Sequence, residues 1–348
     1  MTALLEFKQK IKHVFGQYEI YIMPVVKFFV AFLFFRWINA NLGYMPQLNN
    51  DLLIAVFSLI CCILPPVITV VAGLGMICMH CYALSLETAG FMLVLILLLA
   101  IFFLRFSQGT GIVLALTPIS FAFGIPVMLP VGSGLLCSPA SALPAGCGVI
   151  LYYFIRFING QAQTLANPEL ELVEKLQLMA DGIVRNWGMW ITVVAFVLVI
   201  LLVSIIRTRA FDYAWQVAIV AGGAAYVVVM MVGSYYLSAT VDVTYMVIST
   251  LIAVAVGLIL EFFFFGGDYS RTERLQYEDD DYFYYVKAVP KAHVANPERS
   301  IKRIDAGPSA ERAKREASGS SYANPIFQSD QKEEVDLEKK LEESLKDL

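Results

Sequence analysis

The fold class this sequence predicts is an all-α integral membrane helix bundle of about eight apolar segments, some broken or re-entrant, with a mostly disordered C-terminal tail. Three observations predict it. First, 58% of the 348 residues are apolar and 16% charged, against about 45–50% and about 25% in soluble domains. Mean hydropathy is +0.68. Second, the charges divide sharply. Residues 1–265 hold 11 Lys/Arg and 11 Asp/Glu, whereas residues 266–348 hold 14 and 18, so the net charge of −4 sits in the tail. Third, the first part contains repeated stretches of the roughly 20 apolar residues that a helix needs to cross a bilayer. This composition argues against a water-soluble globular enzyme, and no basic patch suggests nucleic acid as a partner. The implied partner of residues 20–265 is the lipid bilayer.

The apolar stretches run over about 20–38, 52–82, 87–105, 110–131, 135–157, 187–207, 213–237 and 243–265. Residues 1–19 precede them as a cytoplasmic segment with Lys8, Lys10 and Lys12. This start looks like a signal peptide, but Ile38-Asn39-Ala40 is a poor cleavage site and the segment reads as an uncleaved first span. The N-terminal lysines, Arg207/Arg209 and the tail arginines Arg271 and Arg274 place both termini in the cytoplasm of a cell membrane. An even number of crossings satisfies that, and with eight in this partition Arg105, Arg156, Lys175 and Arg185 fall outside. Pro65-Pro66 lies inside the second stretch, where the missing donor and the ring clash predict a kink or break.

Residues 108–148 hold seven glycines and five prolines. Thr117-Pro118, Ile125-Pro126, Leu129-Pro130 and Gly132-Ser133-Gly134 are expected to interrupt every helix there. Irregular backbone at membrane depth persists only when buried in protein or lining a wet cavity, and discontinuous helices expose backbone dipoles to substrates in transporters. Thr117, Pro118, Pro126, Pro130, Gly132, Ser133 and Gly134 are therefore the substrate-route candidates. The competing reading is a set of short kinked helices packed for structure alone. A faint similarity between 63–106 and 124–157 reads as chance.

Residues 158–186 form the polar loop. Asn167-Pro168-Glu169 has the composition of a helix start. Leu172, Leu176, Met179 and Ile183 follow at helical spacing opposite Glu171, Glu174, Lys175 and Asp181, an amphipathic helix that covers its own protein.

Lys27 and Glu261 are the ionisable residues placed most clearly in apolar runs, and each lies near enough to a span end to snorkel. No carboxylate sits at mid-membrane. Cys78-Met79-His80-Cys81 is a soft-ligand cluster. Such residues are also ordinary apolar filler, so no metal or other cofactor is assigned. Cys137 and Cys147 bracket a loop on the cytoplasmic side and are expected to be free thiols. There is no phosphate-binding glycine loop, no H-E-x-x-H, and only three histidines. No catalytic residue is assigned, and the chain is not expected to be an enzyme.

After Phe265 the composition changes. Residues 266–291 form a juxtamembrane motif in which Glu278, Asp279, Asp280 and Asp281 precede Tyr282, Phe283, Tyr284 and Tyr285. The aromatic block has strand propensity, and the motif reads as a docking segment for a cytoplasmic protein partner or for this protein's own cytoplasmic face. Residues 292–329 have the composition of a disordered linker. In 330–348, Leu337, Leu341, Leu345 and Leu348 form one stripe of a short amphipathic helix.

The stretch from Glu278 to Lys291, with Asp281 and Phe283 at its variable places, resembles the E-D-D-x-Y-x-Y-Y-V-K-A-V-P-K segment of a group of uncharacterised bacterial multi-pass membrane proteins, some of them loosely labelled transporter permeases. The match spans about 25 residues around the last span, and the E-A-A-x-x-x-G loop of ATP-driven importers is not present. The resemblance implies membrane location and no particular substrate. The expected function is a permease-like transport component with its route near the Gly/Pro-broken segments and a partner-docking tail. The alternative is a non-transporting scaffold of an envelope or secretion assembly.

Overall fold

The computed structural model describes residues 2–106, 109–209, 213–240, 242–264, 273–278 and 283–288. The chain divides into residues 1–294 and 295–348, and the described residues all belong to the first unit. The linker, the leucine-striped segment and motif residues Asp279, Asp280, Asp281 and Tyr282 lie outside the described residues.

Helices dominate in chain order: α1 Thr2–Asn41, α2 Asp51–Ile63, α3 Pro66–Leu84, α4 Leu86–Phe106, α5 Ile112–Ala122, α6 Met128–Leu136, α7 Ala142–Gly160, α8 Ala162–Leu165, α9 Leu172–Val184, α10 Trp187–Arg207, α11 Ala214–Leu237 and α12 Val243–Phe264. Two strands follow, β1 Glu273–Glu278 and β2 Phe283–Ala288. Among the described residues, six helices are long and apolar enough to cross a membrane: α1, α3, α7, α10, α11 and α12. Large apolar side chains on their outer faces, such as Val194, Leu198, Val220, Val228 and Leu251, are exposed. A soluble protein does not present such a surface to water. By its fold class the chain is an all-α, multi-pass membrane protein.

The 52–82 stretch is two helices, not one. α2 ends at Ile63, Leu64 and Pro65 are extended, and Pro66 opens α3 at its first position, where the missing N–H costs nothing. The break inserts a reversal of chain direction that the eight-stretch partition did not contain.

Three side-chain contacts fix the ends of the bundle. Lys8 lies over the Phe262 ring at 5.1 Å, so the start of α1 and the end of α12 share one end, here called the terminal end. At the opposite, loop end Arg36 pairs with Asp51 at 3.0 Å and Lys175 with Glu87 at 3.6 Å. α4 therefore begins at the loop end and finishes at the terminal end. Its residue Arg105 belongs with the N-terminal lysines, not with Arg156, Lys175 and Arg185 as the sequence partition had it.

The Gly/Pro-rich region is a helical hairpin. α5 runs alongside α7 in the same direction: Thr117 lies against Gly148, and Phe121 stacks on Tyr152 at 4.2 Å. α6 returns beside α10, with Gly134 against Val203. Arg207, in the last turn of α10, closes the return by donating to the carbonyls of Leu135 and of Cys137, the latter at 2.6 Å. These are final carbonyls of α6 that no intrahelical partner satisfies. The turn at the hairpin tip is made possible by Gly124, at φ +74°. Eleven and nine residues span about 16 and 13 Å, roughly half of a hydrocarbon core of about 30 Å. The prolines do not break the helices everywhere as expected: Pro118 lies inside α5 and Pro130 in the first turn of α6. Gly132-Ser133-Gly134 is helical, and Gly134 is a close-packing surface, since a Cβ there would meet Val203 at 2.8 Å.

α7 joins the two halves of the core. Cys147, Leu151, Phe154 and Ile158 face a cluster built with α1–α4, while Ala142, Ala145 and Val149 face one built with α6, α10, α11 and α12. Outside the bundle, β1 and β2 pair antiparallel from Glu273↔Ala288 to Glu278↔Phe283. The strand read in the aromatic block is present, and its partner is the chain's own preceding segment.

Close packing of the hairpin generates a contrast. A Cβ on Gly148 would meet Thr117 at 2.6 Å and the Leu114 carbonyl at 2.9 Å, whereas one on Gly75 meets nothing within 4 Å. Gly148→Ala is expected to cost about 1–3 kcal/mol, and Gly75→Ala to be neutral or to stabilise by up to about 1 kcal/mol. Thermal unfolding of the detergent-solubilised variants checks both.

Candidate functional site

Two adjoining clefts of about 590 and 690 Å³ open at the loop end, and Tyr153, Phe157 and Asn186 line both. Volumes of this size suit small-molecule sites. Phe121, Tyr152, Arg156 and Tyr245 complete one; Asp181, Arg185, Trp187, Ile191, Met230 and Ser238 contribute to the other.

Local sequence explains the walls. Tyr152, Tyr153, Arg156 and Phe157 occupy the i, i+1, i+4 and i+5 positions of α7, so successive turns present an aromatic face with one cation at its outer edge. Phe121, at the end of α5, is stacked between Tyr152 and Phe196, the latter at 5.7 Å with planes 8° apart. The hairpin tip thus reaches the middle of α10 and floors the cleft. The Thr192 hydroxyl donates to the Gly188 carbonyl at 2.7 Å, which leaves Tyr153 as the donor in its 3.1 Å bond to Thr192. Arg156 Nη1 donates to the Tyr152 hydroxyl at 3.1 Å, and its guanidinium lies 5.9 Å from that ring's centroid. Asn186 caps α10 by accepting from the Met189 N–H at 3.1 Å. Ser238 ends α11 at φ +51°, a left-handed conformation uncommon outside glycine and found in strained segments at functional sites.

α9 forms one wall by packing on α4 and α7, as a helix covering its own protein should. Its register differs from the sequence reading. Helix begins at Leu172, five residues after Asn167, whose side chain instead accepts from Glu169 N–H in a tight turn. The buried stripe is Lys175, Met179 and Gly182, and Leu172 is exposed. Gly182 sits against the Phe157 ring, leaving no room for a Cβ. Lys175 was read on the polar face. It is buried because Glu87, in the first turn of α4, supplies a carboxylate to its amine.

None of the seven route candidates lines either cleft. Thr117 donates to the Val113 carbonyl at 2.8 Å, and Ser133 lies 3.4 Å from the Pro130 carbonyl. Pro118, Pro126, Pro130 and Gly134 are buried in protein, and Gly132 is half-buried. They build the hairpin rather than the cleft surface. Of the docking candidates, Phe283, Tyr284 and Tyr285 lie in β2, with Tyr284 and Tyr285 exposed. The site residues that sequence reasoning missed are Phe121, Tyr152, Tyr153, Asn186 and Tyr245. The Tyr-Tyr-x-x-Arg pattern inside a span was the available signal.

His80 sits elsewhere, in a satisfied interhelical clasp. It accepts from Met45 N–H through Nδ1 at 3.3 Å and donates through Nε2 to Asn39 Oδ1 at 2.7 Å, while Asn39 donates to the Leu48 carbonyl at 2.6 Å. Its role is to hold the α1–α2 loop on α3. Cys78 and Cys81 are free thiols, as are the other four cysteines. Among the described residues no group of three or more His, Cys, Asp or Glu side chains is placed to hold a metal ion. Comparisons with protein-family models, curated proteins and solved structures find no match to this chain.

The ion pair behind the cleft wall makes an asymmetric prediction. Glu87→Gln leaves the Lys175 ammonium buried without its carboxylate and is expected to cost about 3 kcal/mol, whereas Lys175→Met, which removes the buried charge, is expected to cost much less. Thermal unfolding and limited proteolysis of the 160–186 segment measure the difference, with faster cleavage in Glu87→Gln.

Proposed function

We propose that the protein is a permease-like transport component of the cell membrane. Residues Phe121, Tyr153, Arg156, Asn186 and Tyr245 receive the solute, and the α5–α6 hairpin stands between this cleft and the opposite face. The supporting observation is the combination of a half-length hairpin entering from one end with an open aromatic cleft reaching its tip from the other. Discontinuous helices that meet a cleft near mid-membrane are a recurrent transporter design. The exposed Arg156 guanidinium over an aromatic wall favours an anionic, partly apolar solute.

In this reading α2 and α4 also cross, giving eight crossings plus the re-entrant hairpin. Both termini are cytoplasmic because Lys10, Lys12, Arg105, Arg207 and Arg209 then share the inner face. The tail, with the acidic–aromatic motif of the family it resembles, docks a cytoplasmic partner that supplies energy. A scaffold in an envelope or secretion assembly is the second reading, favoured by the dry packing of Thr117, Ser133 and the Gly/Pro residues around them.

Accessibility separates the two. In a variant whose native cysteines are replaced by serine, Phe121→Cys is expected to react with a membrane-impermeant thiol reagent from the loop end and, in another state, from the terminal end. Reaction from the loop end alone defines a closed pocket and removes the transport reading. A second measurement addresses the tail. Full-length protein purified in mild detergent is expected to retain a cytoplasmic energy-coupling subunit that a chain truncated after Leu275 loses. Retention of envelope or assembly proteins instead favours the scaffold.

A further inference from the structure

α1 is too long to be only a membrane span. Its 40 residues extend about 60 Å, twice the hydrocarbon thickness. The helix is divided at Tyr18, whose φ of −114° and ψ of 17° are not helical. Residues 19–41 cover about 34 Å, enough to cross, which leaves residues 2–17 as a separate arm beyond the core.

That arm carries an apolar stripe. Phe7, Ile11, Val14 and Tyr18 recur at four-, three- and four-residue spacing and all are exposed, Phe7 at 57%. At 100° per residue Lys10 and Gln17 fall on one edge of the stripe and Lys8 on the other, with Gln9, Lys12 and His13 opposite. The arm's depth is set by Lys8, which is buried over Phe262, two residues before the last described residue of α12. The arm therefore lies at the level where α12 leaves the hydrocarbon, and its apolar stripe has no place in water.

We propose that residues 2–17 form an interfacial helix that lies along the membrane at the terminal end and binds the anionic leaflet. Phe7, Ile11, Val14 and Phe15 enter the acyl boundary, and the exposed Lys10 and Lys12 reach phosphate headgroups. Three features select this occupant over a second copy of the chain. The stripe is continuous with the lipid-facing surface of the span that follows it. Three lysines against the single Glu6 give the arm a net positive charge, and two such arms repel. Lysines bordering an apolar stripe are the arrangement that surface-bound helices use, each contributing roughly a fivefold gain in affinity for an anionic membrane.

Hydrogen–deuterium exchange on the full chain in lipid nanodiscs tests this. In discs of phosphatidylcholine mixed with phosphatidylglycerol, amides of residues 7–17 are expected to exchange at least several-fold more slowly than in phosphatidylcholine alone. The double substitution Lys10→Gln/Lys12→Gln, both at exposed positions, is expected to abolish that difference while leaving exchange in α7 and α10 unchanged. Equal exchange in the two lipids overturns the proposal. So does protection in phosphatidylcholine alone that appears only when two chains share a disc, which assigns the stripe to a second copy.

Discussion

Backbone amides inside a bilayer have no water to bond with, and this constraint governs the hairpin on which the rest of the bundle is arranged. Each of α5 and α6 leaves helix-terminal donors and acceptors at membrane depth, where every unsatisfied group is expensive. The chain meets the cost by enclosing both helices in protein. α7 and α10 flank them, Gly148 and Gly134 allow backbone to approach side chain closely, and Arg207 satisfies the last carbonyls of α6. The long outer helices are comparatively unconstrained. α1, α11 and α12 can leave most of their surface to lipid because each satisfies its own backbone.

Sidedness follows from two compensating features. The Pro65-Pro66 break adds one reversal to the path, and the hairpin removes one, since a segment that enters and returns does not change ends. The start of α1 and the end of α12 therefore share one end, which an even number of crossings also requires, but through a different partition of the chain. The first feature was legible because a proline pair in a long apolar run stops a helix locally. The second was legible only as a disruption. Whether a chain turns back at Gly124 or continues across is decided by what packs against α5 and α6, and residues such as Gly148, Val203 and Arg207 are remote from the tip in sequence.

The same distinction separates the legible and illegible parts of the site. Tail composition, the aromatic strand and the covering helix at 172–184 were visible as local patterns. The strand partner at 273–278 was not, because Glu-Arg-Leu-Gln-Tyr-Glu has no strong strand signature without its neighbour. Lys175 was assigned to a solvated face by its charge, yet a carboxylate on a helix 88 residues earlier in the chain makes its burial possible. Attention to glycine and proline drew the route to the residues that build the hairpin. The cleft is made by ordinary-looking tyrosines, an asparagine cap and one arginine, which converge only after α5, α7, α10 and α12 have packed.

The hairpin is held unequally along its length, which bears on how a route past it would open. Its base is fixed by charge-assisted hydrogen bonds from Arg207, whose guanidinium also lies 5.9 Å from the Trp215 ring. Such bonds are directional and are lost abruptly when stretched. Phe121 at the tip is held chiefly by stacking on Tyr152 and Phe196, and stacked rings keep much of their attraction while sliding past one another. Displacement is therefore cheapest at the tip and dearest at the base. On the transport reading the hairpin swings about its base, with the Gly124 turn moving most. On the scaffold reading the same fixed base and stacked tip simply close the bundle, so the movement of Phe121, rather than the presence of the cleft, is what separates the two.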